Sequence, residues 1–288
     1  MKILKSIKSV RDFNKENKAR NKIIAFVPTM GNLHEGHLSL VKKAKEKADI
    51  VIVSIFVNPL QFSPNEDLDS YPKTLKEDLE KLEELQVDAV FTPTDKDIYP
   101  EGKENAPRIY IKQFETMLCA LSRPDFFSGI ATVVAVLFNI VKPDIAIFGE
   151  KDFQQLLVIK KLVKDLHFDI EILSGELIRE ESGLAMSSRN NYFTKEQKGK
   201  AAMIYSELNL LKHHILQNNA KSLDLYFYIN KTKSNLEQNG FITDYLEFRS
   251  EDNLDLITDY SKMKINNCRI FAAFKFHNVR LIDNIKLE

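Results

Sequence analysis

Two histidines and two glycines fall within ten residues, Pro28-Thr29-Met30-Gly31-Asn32-Leu33-His34-Glu35-Gly36-His37. A short apolar run, Ile23 to Val27, precedes them and a helix-patterned run, Leu38 to Ala48, follows, which reads as strand, glycine turn and helix. Glycines let the backbone approach a ligand closely, and the new helix aims its unpaired N–H groups and positive dipole end at the same spot. Such a turn receives an anion. His34 and His37, three residues apart, can project from one side of the first helical turn and donate to phosphate oxygens. Either one could instead be an ordinary helix cap, and the pair could hold a metal. The zinc-protease pattern H-E-x-x-H, however, is one residue longer than the H-E-G-H found here.

Three further segments join this turn. Asn58-Pro59-Leu60-Gln61-Phe62-Ser63-Pro64, running on to Tyr71-Pro72, lies just past the apolar run Asp49 to Val57, at the carboxyl end where open parallel sheets bind ligands. Phe148-Gly149-Glu150-Lys151-Asp152 repeats the strand, glycine turn, helix device and puts a lysine beside the same sheet edge. Met186-Ser187-Ser188-Arg189-Asn190 adds hydroxyls and a guanidinium. Together these groups suit attack at the α-phosphorus of ATP, where charge grows on the phosphate oxygens and needs preorganised donors. Neither G-x-x-x-x-G-K-[ST] nor G-x-G-x-x-G occurs, which counts against γ-phosphoryl transfer and dinucleotide redox chemistry. The residues point to an adenylate-forming or adenylyl-transferring enzyme.

The elements that must position these groups alternate along the chain. Ser6 to Asn17 reads as an amphipathic helix, Lys22 to Val27 and Asp49 to Val57 as buried strands around the first long helix, and Asp88 to Thr92 as a third strand. Thr74 with Glu77 has the spacing of a capping box opening a helix to Leu85. Ile109 to Ile111 reads as a strand, Leu118 to Gly129 as a loop, Gly129 to Val141 as an apolar helix, Asp144 to Phe148 as a strand and Asp152 to Leu166 as a helix. Asp169 to Leu173 and Leu177 to Arg179 complete the strands of this part. From Thr194 the pattern changes to two long helices, Thr194 to Gln217 and Ser222 to Asn239, then strands near Tyr245 to Phe248, Arg269 to Phe276 and Val279 to Ile285. The expected boundary falls near Leu177.

At 288 residues and 44% hydrophobic content the chain can build one large and one smaller core. Its 41 basic and 41 acidic residues give no bulk charge to gather nucleic acid. From Leu177 onward there are 16 basic and 14 acidic residues, too balanced for a tRNA-gripping domain or an RNA-binding relic of a synthetase core. Cys119 and Cys268 have no metal-site spacing and indicate no disulfide framework, which fits a reducing cytoplasm. The N-terminus lacks the apolar core of a signal peptide, and no stretch approaches membrane-spanning length.

In order along nearly the whole chain, P-T-M-G-x-L-H-E-G-H, the Asn58 to Phe62 loop, F-G-E-K-D-F-Q-Q and M-S-S-R-N resemble the pantothenate synthetases (pantoate–β-alanine ligases). These belong to the H-x-G-H nucleotidyltransferase superfamily shared with class I aminoacyl-tRNA synthetases. The resemblance implies an α/β architecture, a Rossmann-like doubly wound parallel sheet over residues 1–176 followed by a smaller α+β lid domain over 177–288. It implies that ATP and pantoate give pantoyl adenylate and pyrophosphate, after which the amine of β-alanine displaces AMP to give pantothenate, with Mg2+ accompanying ATP. The stretch Met30, Gly31, Asn32, Leu33, His34, Glu35, Gly36, His37 would wrap the nucleotide, with His37 the catalytic donor and His34 beside it. Gly149, Glu150, Lys151 and Asp152 would hold ATP, with Lys151 as phosphate cation and Asp152 toward ribose or metal. Ile178 would offer backbone to adenine. Met186, Ser187, Ser188 and Arg189 would close over the triphosphate. Gln61 and Gln155 would grip pantoate, Tyr71 would pack against it and Asp78 would serve magnesium. A homodimer is also implied. The runner-up is a relative of the same superfamily that moves AMP onto a phosphorylated acceptor.

The chain departs from the family pattern between Leu118 and Phe138. Ala120, Asp125, Phe126 and Val136 stand where glycine, glycine, histidine and lysine are usual, which constrains the backbone and alters what lines the pantoate side.

Overall fold

The computed structural model describes residues 1–62, 68–217, 225–259 and 265–287. Its contacts divide the chain into two compact units, Met1–Glu150 with Gln155–Glu176, and Lys151–Gln154 with Leu177–Glu288. In the first unit, strands and helices alternate: β1 (Lys2–Leu4), α1 (Ile7–Lys18), β2 (Ile24–Thr29), α2 (Glu35–Lys47), β3 (Ile50–Ile55), α3 (Leu75–Glu84) and β4 (Ala89–Phe91). The short helices α4 (Asp95–Ile98) and α5 (Cys119–Ser122) lead to α6 (Phe126–Val141), β5 (Ile145–Gly149), α7 (Phe153–Asp165) and β6 (Glu171–Gly175).

All six strands run parallel in the order β1-β4-β3-β2-β5-β6. This is a Rossmann-like α/β sheet, and its central strands explain their sequence. Ile24, Ala25, Phe26 and Val27 of β2 are all fully buried, because helices cover both faces. Val27, Val53 and Val90 share a core with Leu38 and Val41 of α2, while Phe26 on the other face meets the ring of Phe138 in α6 edge-on at 6.4 Å. Each such side chain taken fully out of water contributes about 1.5–3 kcal/mol. From β2 the chain winds outward through β3 and β4, whereas β5 leads to β6 on the other side. Strands β2 and β5 therefore flank a topological switch point, where open α/β sheets bind ligands beyond the strand ends.

Some expected elements form differently. Ile109 to Ile111 pairs with no strand, since the Ile109 N–H donates to the Thr132 hydroxyl of α6 at 3.0 Å and the chain passes into a 3-10 turn at Lys112–Phe114. The segment expected to be a loop before Gly129 contains α5, and α6 begins at Phe126. Thr74 makes no side-chain cap for α3; its hydroxyl donates instead to Asp78 at 3.2 Å. The edge strand β1 is held by parallel pairing to β4, a contact nearly ninety residues away that its alternating sequence does not announce.

In the second unit, α8 (Lys195–Ala201), α9 (Met203–Gln217) and α10 (Leu225–Gln238) precede the antiparallel strands β7 (Phe241–Ser250), β8 (Cys268–Phe276) and β9 (Val279–Lys286). Leu208, Leu211 and Ile215 of α9 share a core with Leu236 of α10 and with Phe248, Ile270 and Phe274 of the sheet. The single helix expected from Thr194 is two, because α8 ends on a cap at Ala202; residues 222–224 of the other expected helix lie outside the described residues. Leu177 to Arg179 forms no strand of the parallel sheet. It is one arm of a hairpin whose single bridge joins Arg179 to Ala185. Among the described residues no helix is long and apolar enough to cross a membrane.

Candidate functional site

The H-E-G-H turn leaves the end of β2. Gly31 and Asn32 have φ +82° and +50°, the left-handed region that reverses the chain, while Gly36 lies inside the first turn of α2 and not in the reversal as the sequence pattern suggested. Helix α3 holds the reversal in place. The fully buried Asp78 carboxylate accepts from Asn32 N–H at 2.9 Å and Leu33 N–H at 2.7 Å, and Lys81, one turn later, donates to the Leu33 carbonyl at 2.6 Å. Asp78, expected at a magnesium ion, is thus committed through both oxygens to the backbone of the turn.

Both histidines are caps. His34 is the N-cap of α2 and its Nδ1 accepts from Gly36 N–H at 3.2 Å; His37 Nδ1 accepts from His34 N–H at 3.4 Å, closing a capping box. The rings lie 4.1 Å apart at 34°. A ring that accepts a backbone N–H at Nδ1 has Nε2 left as its donor nitrogen. The cap uses one end of the ring, so the capping and phosphate-donor readings of these histidines do not exclude each other. Met30 is half-buried and Leu33 buried, while Glu35 is exposed and pairs with Lys42 at 3.5 Å.

Gln61 ends a 3-10 turn, Pro59–Gln61, that follows β3. Its orientation is set by Asn58 of the same motif together with Tyr99 and Gly129, which no motif pointed to. The buried Tyr99 hydroxyl donates to Asn58 Oδ1 at 2.6 Å, and Asn58 Nδ2 donates to Gln61 Oε1 at 2.9 Å and to the Gly129 carbonyl at 3.2 Å. With its oxygen so engaged, the Gln61 amide turns its NH2 away from Asn58. Burial pushes the Tyr99 hydroxyl well above the ordinary tyrosine range, so it stays a donor at any working pH. Arg123 donates to the Gln61 carbonyl at 3.0 Å. Tyr71 is buried and packs edge-on against Phe62 at 5.6 Å, beside Gln61; residues 63–67 of the same loop lie outside the described residues. Helix α6 passes so close that a Cβ at Gly129 would fall 2.2 Å from the Leu60 carbonyl oxygen. Gly129→Ala should therefore destabilise the protein by about 1–3 kcal/mol, the usual cost of overpacking. A thermal melt unchanged from wild type would show that α6 can move aside.

At the end of β5, Gly149 needs no glycine, since a Cβ there meets only Leu40 at an ordinary 3.9 Å. Glu150 Oε1 accepts from the Ser174 hydroxyl at 2.8 Å, and Lys151 lies 3.6 Å from Asp152. Gln155 is half-buried in the first turn of α7. In the second unit Ile178 and Met186 face each other across the hairpin, with Met186 N–H donating to the Ile178 carbonyl at 3.0 Å. Ser187 caps the 3-10 helix Ser188–Tyr192 through the Arg189 N–H at 3.3 Å. The buried Asn190, singled out by no chemistry in the sequence, pins that helix by donating to Glu180 at 2.8 Å and to the Ala185 carbonyl at 3.0 Å. Among the described residues no three His, Cys, Asp or Glu side chains gather as a metal cage.

The model of the pantoate-beta-alanine ligase family matches residues 2–286. This chain belongs to that family. It is 51% identical to a pantothenate synthetase of Ruthia magnifica over 92% of this chain and 91% of the relative, and 44% identical to one of a Marinomonas strain over the full length of both. Among solved structures, the pantothenate synthetase of Thermus thermophilus superposes with a TM-score of 0.87 at 36% identity, covering 100% of this chain and 99% of that one. A Francisella tularensis pantoate-beta-alanine ligase, complexed with β,γ ATP and β-alanine, superposes with a TM-score of 0.80 at 38% identity, covering 100% and 98%.

The segment that departs from the usual pattern of the ligase family is locally self-consistent. Asp125 occupies the left-handed region at φ +62°, a conformation that aspartate tolerates better than most side chains. Phe126 lies under the Arg123 guanidinium, 3.5 Å from ring centre to carbon, and so holds the side chain that reaches Gln61. Ala120 is buried in α5 and Val136 half-buried in α6.

Proposed function

We infer that this chain is a ligase that condenses pantoate with β-alanine at the expense of ATP, through pantoyl adenylate, to give pantothenate, AMP and pyrophosphate. The family match over residues 2–286 carries this reading. It leaves the alternative, transfer of AMP to a phosphorylated acceptor, without support. ATP and β-alanine are bound by the Francisella relative.

In the first half-reaction a pantoate carboxylate oxygen attacks the α-phosphorus and pyrophosphate leaves. His34 and His37 donate through Nε2 to phosphate oxygens that gain charge, and the N-terminus of the thirteen-residue helix α2 adds its dipole. Lys151 supplies a phosphate cation, Ile178 backbone to the adenine, and Met186, Ser187, Ser188 and Arg189 the pyrophosphate contacts, the second unit acting as a lid. Gln61 and Gln155 hold pantoate, with Tyr71 against it. In the second half-reaction the β-alanine amine attacks the acyl carbon and AMP leaves. The donor set suits magnesium carried in on the triphosphate, an ion that keeps its waters and takes one or two carboxylates, here Asp152. We assign Asp78 to bracing the turn instead. A homodimer in the cytoplasm completes this reading, and the two buried cysteines, which are not bonded to each other, accord with a reducing compartment.

The deciding assay measures pyrophosphate release from ATP with pantoate alone, followed by AMP release only once β-alanine is added. AMP formed without β-alanine, or no pyrophosphate without it, would overturn the order of steps. Gln61→Ala should raise the KM for pantoate roughly 10-fold with a smaller effect on that for ATP, the signature of lost substrate binding. Tyr99→Phe, which removes only the hydroxyl that orients Asn58, should shift the same constant in the same direction by less. Equal effects on both substrates would remove Gln61 from the acid's side.

A further inference from the structure

The second unit contains a buried polar junction that no motif announced. Strand β9 carries Asp283 and Asn284, adjacent residues that face opposite sides of a strand. On one side Arg179 grips the Asp283 carboxylate through two parallel hydrogen bonds of 2.7 and 2.8 Å, donates to the Gly183 carbonyl at 3.0 Å and lies 3.6 Å over the Tyr205 ring. Arg179 and Gly183 belong to the hairpin that runs from Ile178 into Met186. Gly183 is tied to the same place, since it has φ +92° and a Cβ there would lie 2.6 Å from Tyr205. On the other side Arg269 donates to Asn284 Oδ1 at 2.5 Å, which fixes the amide so that Nδ2 donates to the backbone carbonyl of Lys151 at 3.0 Å. Arg269 itself lies over Phe153 at 4.2 Å, at the start of α7.

Asp283 is buried, and burial raises its carboxyl above the ordinary range while Arg179, the Asn284 N–H and the charge of Lys151 pull it back. A buried ion pair of this kind gives little net stability over apolar side chains of the same volume. What it fixes is geometry. We propose that Asp283 and Asn284 are positioning residues for the nucleotide, holding on the two faces of one strand the hairpin that leads into Met186–Arg189 and the backbone of Lys151. The proposal rests on the assignment of those two segments to ATP. It makes the C-terminal strand, which touches no substrate in this scheme, the part that keeps two separate ATP-side segments in one register.

The test compares wild type, Asp283→Asn and Asn284→Ala in two ways. Hydrogen exchange without substrate should quicken about 10-fold at residues 178–189 in Asp283→Asn and at residues 150–154 in Asn284→Ala, while the core helix α9 keeps wild-type protection. Kinetics should show a KM for ATP raised about 10-fold in each variant, with the KM for pantoate and the rate of β-alanine transfer from added pantoyl adenylate within twofold of wild type. A general loss of folding would lower both half-reactions together and loosen α9, and that pattern overturns the positioning role. So do wild-type exchange at both segments, or equal rises in the two KM values. Should Asp283→Asn fail to fold, Asn284→Ala alone decides, because it leaves the Arg179 pair in place. A wild-type protein that releases no pyrophosphate from ATP and pantoate would refute the assigned reaction, and the exchange result would still judge the junction.

Discussion

Replacing His37 with alanine should lower kcat by about 10²-fold or more while the protein stays folded, the usual cost of losing one donor matched to transition-state charge. The structural loss is small. The capping contact that His37 gives α2 is weak, 3.4 Å long, and the His34 cap on Gly36 survives the change. Loss of such a cap costs about 1 kcal/mol, far too little to unfold a domain with this core. The chemical loss is larger because Nδ1 is already held by the backbone, which leaves Nε2–H as the ring's single donor in its neutral form. Glutamine separates the two tasks, since it is the residue a capping box takes at this position. His37→Gln should melt like wild type and remain slow. The measurements are a thermal melt and steady-state kinetics with saturating ATP and pantoate, and a kcat equal to wild type in His37→Ala would remove the residue from the chemistry.

The strands and turns that carry the candidate residues could be read from the chain because those residues sit in contiguous motifs. The apolar runs at β2, β3 and β5 are read as buried strands because both faces of the sheet are covered, and the turns that follow them carry the candidate residues within a few positions. What escaped the sequence depends on partners distant in the chain. Thr74 and Glu77 have the spacing of a capping box, yet the Thr74 hydroxyl takes Asp78, whose own role is set by a turn 45 residues away. Asn58 looks like a loop residue until Tyr99 and Gly129 are brought to it. Asp283 and Asn284 lie in a strand pattern with no chemical signature, and only folding sets Arg179 and Lys151 on its two sides. Periodicity reports which face of an element is buried; it does not report what a polar group meets there.

Arg189→Lys should slow pantoyl-adenylate formation by about 10²-fold, the order seen when a single transition-state donor is lost. The backbone around Arg189 is held from both sides, by the Ser187 cap on its own N–H and by Asn190, buried against Glu180 and Ala185. A lysine would therefore start from the same place with the same charge. It would lack the planar fork that grips two oxygens at once, and a departing pyrophosphate offers two. The effect should fall on one half-reaction. Transfer of the pantoyl group to β-alanine begins after pyrophosphate has gone, so lysine should serve there nearly as well as arginine. Asn190→Ala gives a comparison in which Arg189 is intact but its 3-10 helix has lost its anchor; it should slow adenylation too, and by less. Single-turnover kinetics separate the steps, with ATP and pantoate for the first and preformed pantoyl adenylate with β-alanine for the second. Adenylation at the wild-type rate in Arg189→Lys, or a larger loss in the β-alanine step, would mean that the guanidinium does not act on the pyrophosphate.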